Sequence, residues 1–142
     1  MRILGIDHGG RRIGLAISDS LGMIAHGLPT LTRVTEEEAV AHVAKLVAER
    51  EVDEVVVGLP RNMDDSVGPQ AQKAMQFAEK LRAIGKPVHL SDERLTSERA
   101  HRVMSEAGLS WQKQRQKVDR MAAQFILQTW LDARKQGPDE HR

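Results

Sequence analysis

A chain of 142 residues and 15.8 kDa has room for one domain with its own core, and excludes enzymes built from two large lobes around a cleft. It contains no cysteine, which excludes disulfides, thiolate zinc sites and cysteine nucleophiles and fits the cytoplasm; two Trp, two Phe and no Tyr leave little for stacking bases on aromatic rings. The near balance of 21 Lys+Arg against 20 Asp+Glu hides an asymmetry: Glu36 to Glu54 carries seven acidic and two basic residues, Arg94 to Arg120 seven basic and three acidic. The second stretch is a candidate phosphate footprint, although a solvated helix surface would have the same charges. No apolar run approaches the roughly 20 residues of a membrane span. Met1 to Asp7 lacks the long apolar stretch and small-residue cleavage site of a secretory signal, so neither a membrane nor export is expected.

Ile3 to Asp7 is short, apolar and β-branched and runs into the turn His8-Gly9-Gly10. Ile13 to Ser18 reads as a second strand, Asp19 to Gly22 as a turn, and Met23 to Leu28 as a third strand. Connections this short force antiparallel pairing. Thr35 with Glu38 three residues on is a capping box, and Val40, Val43 and Val47 follow at helical spacing. Val52 to Gly58, with Val55-Val56-Val57 at its centre, is a strand buried on both faces. A polar loop from Arg61 to Val67 precedes Gly68-Pro69, a helix start. Ala71, Ala74, Met75, Ala78 and Leu81 mark that helix's apolar face, and Gly85 and Pro87 end it. Pro87 to Leu90 is a brief strand, and Thr96 opens a helix through Val103 and Met104 to Gly108. Val118, Met121, Ala122, Phe125, Ile126 and Trp130 mark a long last helix. The order β-β-β-α-β-α-β-α-α gives an α/β fold, a mixed five-stranded sheet with helices on both faces, which is the element order of the ribonuclease H-like fold. The expected domain spans residues 1–136, with 137–142 a polar tail.

Three carboxylates on separate elements stand out. Asp7 ends the first strand beside two glycines; Asp92-Glu93 follows the brief strand; Asp119 lies near the start of the last helix. Each alone has a plain structural reading: a turn-initiating Asp, an ion pair with Arg94, a helix-dipole partner. Together they form a hard-oxygen set suited to Mg²⁺ or Mn²⁺, and two such ions suit phosphodiester hydrolysis by an activated water. Arg11, Arg12, Arg61, Arg94 and Lys117 are candidates for phosphate contacts, or for ion pairs that hold the carboxylates before metal binds. The six His residues have no zinc-type spacing.

Four ordered stretches then carry a family likeness. Gly5-Ile6-Asp7-His8-Gly9 with Arg12 to Asp19, Val56 to Pro60 through Met63-Asp64 and Ser66, Asp92 to Thr96, and Lys117 with Asp119, Ala122 and Ala123 resemble the motifs of the YqgF (RuvX) family. That family is a ribonuclease H-like group described as Holliday junction resolvases and as nucleases maturing the 5′ end of pre-16S ribosomal RNA. Asp65 departs from it, standing where Gly commonly follows Met-Asp. Related nucleases often carry an acid at the end of the fourth strand, but here the strand ends Gly58-Leu59-Pro60. The resemblance therefore gives the middle catalytic role to Glu93, with Asp92 its substitute.

The resulting expectation is a metal-dependent nuclease. Asp7, Glu93 and Asp119 hold Mg²⁺ or Mn²⁺, while Arg12, Arg94, Arg99, Arg102 and Lys117 hold the nucleic acid. The substrate implied is pre-rRNA. The alternative is branched DNA, which requires a homodimer to place two sites on two strands. A rival of another class is a ribosome-assembly factor that binds nucleic acid without cleaving it.

Overall fold

Short connections after His8 and Ser18 fold the first thirty residues back on themselves, and helical crossovers then return the chain to the other side of its first strand. The computed structural model describes residues 1–9, 12–60, 68–92 and 111–136, with 111–120, 135 and 136 described by backbone alone. Five strands, β1 (Ile3–His8), β2 (Arg12–Ser18), β3 (Ala25–Thr32), β4 (Glu54–Leu59) and β5 (Val88–Asp92), form one sheet in the order β3-β2-β1-β4-β5. β2 pairs antiparallel with β1 and β3; β4 pairs parallel with β1 and β5. The helices are α1 (Glu36–Glu49), α2 (Pro69–Leu81) and α3 (Trp111–Gln136). The expected loop at 61–67, the expected helix from Thr96 to Gly108 and the tail at 137–142 lie outside the described residues. Among the described residues no helix is long and apolar enough to cross a membrane.

Side-chain alternation along the strands builds two cores. Leu4, Ile6, Ile13, Leu15, Ile17, Val55 and Val57 face α1 and α2, while Ile3, Ala16, Ala25 and Val56 face α3. Every residue of β4 is buried, as its unbroken apolar run requires. The capping box of α1 is reciprocal: the Glu38 amide donates to Thr35 Oγ1 at 3.1 Å, and the Thr35 amide to Glu38 Oε1 at 3.0 Å. Such a cap stabilises the helix by about 1 kcal/mol.

Three expectations need correction. The third strand begins at Ala25, later than Met23, and continues past Pro29 to Thr32. Asp19 Oδ1 accepts the Met23 amide at 2.7 Å and wraps that residue into the turn, while β3 is an edge strand, where the amide missing from Pro29 is not needed for pairing. On α2 the buried stripe contains Phe77 and leaves Met75 40% exposed. On α3 the buried residues are Ala123, Ile126, Leu127 and Leu131, one position round from the expected Met121, Ala122 and Phe125, which are half-buried. Polar partners help to set that phase. Gln128 accepts the Ala25 amide at 2.9 Å and donates to the Met23 carbonyl, and Gln124 donates to the Ala25 carbonyl, so α3 is tied to the start of β3.

A second tie fixes the other end of α3. Glu54, buried at the start of β4, lies 2.6 Å from His89 Nε2 and accepts from Arg134 at 2.9 Å; the His89 ring stacks on Trp130. Burial pushes the Glu54 pKa up, but the hydrogen bonds from Arg134 and His89, with their charges, outweigh it and hold the carboxyl below its ordinary value. A depressed carboxyl contributes stability above its unfolded pKa and loses it as pH falls through the folded one. Arg134→Met is expected to cost about 1–3 kcal/mol at pH 7. The deficit in melting temperature should shrink in acid once Glu54 is protonated; an unchanged melt at pH 7 would mean that this cluster does not secure α3.

Candidate active site at the end of the first strand

Asp7 is half-buried near the C-terminal end of β1 and pairs across the sheet with Gly14 of β2. A Cβ added at Gly14 would lie 3.5 Å from the Asp7 Cβ and 3.4 Å from the Ala123 Cβ, so Asp7 shares the sheet face that α3 covers. At Gly5, two residues earlier on the same face, a Cβ would come within 2.8 Å of the Leu127 Cβ and 3.2 Å of the Ala123 carbonyl oxygen. Two residues without side chains thus let α3 lie directly on the sheet. Leu127 sits over Gly5 and Ala123 over Gly14 and Asp7, so towards its N-terminus the helix runs along β1 to the Asp7 end. Position 119, four residues before Ala123, is the next turn on the same helix face.

Arg12 opens β2 and is exposed; by alternation it falls on the α3 face with Gly14 and Ala16. Its carbonyl accepts the Gly9 amide at 2.8 Å and closes the chain reversal beside Asp7. His8 takes the opposite face and lays its ring against Phe77, with centroids 4.7 Å apart. Burial pulls the His8 pKa down and Lys73 assists; the Glu36 charge and the residue's own backbone oppose them without prevailing.

The other described carboxylate of the expected set is not beside Asp7. β5 runs regularly to Asp92, past the expected end at Leu90, in the register Val57↔Leu90, Gly58↔Ser91, Leu59↔Asp92. Val88 and Leu90 pack into the α1/α2 core, while His89 meets Trp130 of α3. Asp92 therefore lies on the α1/α2 side, across the sheet from Asp7 and two strands away, roughly 10 Å in the pairing direction. Among the described residues no three His, Asp or Glu side chains converge as a metal site. Of the remaining expected site residues, Glu93, Arg94, Arg99 and Arg102 lie outside the described residues, and Asp119 and Lys117 are described as backbone positions on α3. The donor chemistry on the Asp7 face fits a hard cation: a carboxylate at a strand end, with no side chain on the neighbouring Gly14.

The family model described as "RuvX: Holliday junction resolvase" matches residues 1–133. The chain belongs to the RuvX family. A relative from Moorella thermoacetica is 50% identical over 133 residues, covering 93% of this chain and 95% of its own. Another, from Halothermothrix orenii, is 45% identical with the same coverage; both carry the name "Putative pre-16S rRNA nuclease". Among solved structures, Thermus thermophilus RuvC in complex with a Holliday junction substrate covers 96% of both chains at 18% identity with a TM-score of 0.53. RuvC of that organism determined on its own reaches a TM-score of 0.54 at 16% identity. These likenesses show the fold, and it is the ribonuclease H-like one.

In this RuvX chain the first motif does more than supply Asp7. Its Gly5 and Gly14 are the seat of α3, and the fourth motif's Ala123 is what rests there. Reading motif by motif missed that the first and fourth are two sides of one contact. A signal was present: Gly in the middle of a strand otherwise built of Ile and Leu marks a close approach of another backbone.

Proposed function

We propose that this chain is a metal-dependent nuclease that hydrolyses backbone phosphodiester bonds, with pre-16S ribosomal RNA on its 5′ side as substrate, acting in the cytoplasm. The observation that carries the reading is the Asp7 carboxylate on the α3 face, with α3 seated on Gly5 and Gly14 and position 119 one turn from Ala123. In this reading Asp7, Asp119 and Glu93 hold Mg²⁺ or Mn²⁺. Bound there, the ion supplies Lewis-acid stabilisation of the phosphate oxygens and lowers the pKa of water. Arg12, on the same face, meets the phosphate with its guanidinium fork. Arg94, Arg99, Arg102 and Lys117 extend the contact along the strand and make affinity fall with salt.

The face of Asp92 supports Glu93 as the middle ligand. Asp92 is turned to the α1/α2 side, away from the Asp7 face, and Glu has one more methylene than Asp with which to reach a metal held there. Glu93→Gln is expected to lose cleavage and Mn²⁺ affinity together, while Asp92→Asn keeps both. The reverse result would give Asp92 the role.

The names of the relatives support RNA; the description of the family supports a second reading, resolution of Holliday junctions by a homodimer. The deciding experiment incubates the purified protein and Mn²⁺ with labelled pre-16S RNA and with a four-way DNA junction side by side. Cleavage of the RNA alone, at its 5′ side, is expected. Symmetric nicks in the junction alone would transfer the assignment to DNA, and no cleavage of either would favour the non-catalytic assembly factor.

A further inference from the structure

At the Asp7 end of β1, but on the sheet's opposite face, lies a cavity of about 660 Å³ that the site above does not use. Six of the residues around it are polar or expose backbone: His8, Gly9, Arg33, Glu36, Lys73 and Gln76. They come from four parts of the chain, the end of β1, the turn into α1, the first turn of α1, and α2, so the cavity belongs to the fold and not to one loop. Its charge is positive. Glu36 is engaged by Lys80 at 2.6 Å, whereas among the described residues neither Arg33 nor Lys73 forms an ion pair. Arg33 is held at φ 56°, in the left-handed region that a residue with a side chain seldom adopts. Strain of this kind persists only where the surroundings enforce it and concentrates where a ligand is held. His8 Nδ1 is buried and has no hydrogen-bond partner among the described residues, although buried polar atoms nearly always have one.

We propose that this cavity receives a backbone phosphate of the same nucleic-acid strand whose bond is cleaved at Asp7, with Arg33 and Lys73 as its counter-charges. Asp7 and His8 are consecutive on β1 and face opposite ways. A strand that reaches both must cross the end of β1 from one sheet face to the other, which fixes its path past the cut. The inference rests on the nuclease reading of the Asp7 face.

The test measures binding in EDTA, so that metal and cleavage play no part and the outcome does not depend on whether the protein is active. A short fluorescent single-stranded RNA is titrated by anisotropy at several salt concentrations against wild type, Arg33→Gln, Lys73→Gln and the double variant. Lys45→Gln, nine residues along α1 from Glu36 and beside Glu49, is the charge-matched control. Each lost phosphate contact should reduce the slope of log affinity against log salt by about 0.7. The double variant should therefore lose about 1.4, and the control nothing. Melting temperatures should stay put, since Arg33, Lys73 and Lys45 are exposed. An unchanged slope in the double variant, or an equal change in the control, overturns the proposal. So does a double variant that binds RNA normally but has lost the binding of AMP or inorganic phosphate seen in wild type, because the cavity would then serve a free small anion. Failure of the nuclease reading is seen separately, as the absence of cleavage in Mn²⁺.

Discussion

Asp7→Asn is expected to leave a folded protein that no longer cleaves. The amide has nearly the shape of the carboxylate, so packing against Ala123 is undisturbed. What disappears is the negative charge and one hard oxygen donor, which a divalent cation cannot spare. A fall in rate of about 10²–10³-fold is expected, the scale of removing a group that acts in the transition state. In calorimetry the heat of Mn²⁺ binding should vanish with it. The melting temperature should change little, because the substitution keeps the side chain's shape. Wild-type cleavage in a pure Asp7→Asn sample would remove Asp7 from the chemistry, and with it the reading of this face as the active one.

Gly5→Ala should damage both stability and activity, though it adds a single methyl group and removes no charged or polar group. That methyl would stand 2.8 Å from the Leu127 Cβ, a separation that carbon atoms do not tolerate. The clash is with a Cβ, which every residue but glycine possesses, so trimming Leu127 to Ala does not relieve it. Either β1 or α3 must yield. Overpacking of this kind costs about 1–3 kcal/mol, which for a chain of this size lowers the melting temperature by roughly 3–10 °C. The loss of cleavage should exceed what unfolding explains, since lifting α3 carries position 119 away from Asp7. Gly27→Ala is the comparison: its added Cβ would meet the Gln124 Oε1 at 3.4 Å, the end of a flexible side chain, and should be tolerated. Thermal melts read beside cleavage at a temperature where all three proteins are folded decide the matter. Full activity and an unshifted melt for Gly5→Ala would mean that α3 does not bear on Gly5.

Much of this protein was legible in its chain because the forces concerned are local. The Thr35–Glu38 box, the Gly68-Pro69 helix start and the stop at Gly85 each depend on a few neighbouring residues, and the structure has all three. Connections too short for a crossover made β1, β2 and β3 antiparallel, and the unbroken apolar run of β4 required cover on both faces. The site was legible as a set of carboxylates at element ends. Which of them can share a face was not. Alternation along β5 assigns Asp92 and Leu90 to one side, but only the packing of Leu90 against α1 and α2, and of Asp7 beside Ala123 of α3, shows that these are opposite sides. The phase of α3 was misread for the same reason. An amphipathic stripe is broad enough to admit a rotation by one residue, and the choice fell to contacts made across the fold: Ala123 and Leu127 on Gly5, Gln128 on Ala25, and Arg134 on Glu54. Those partners are up to 122 residues apart in sequence (Gly5 and Leu127), and no local pattern records them; they exist only once the sheet has brought both ends of the chain together.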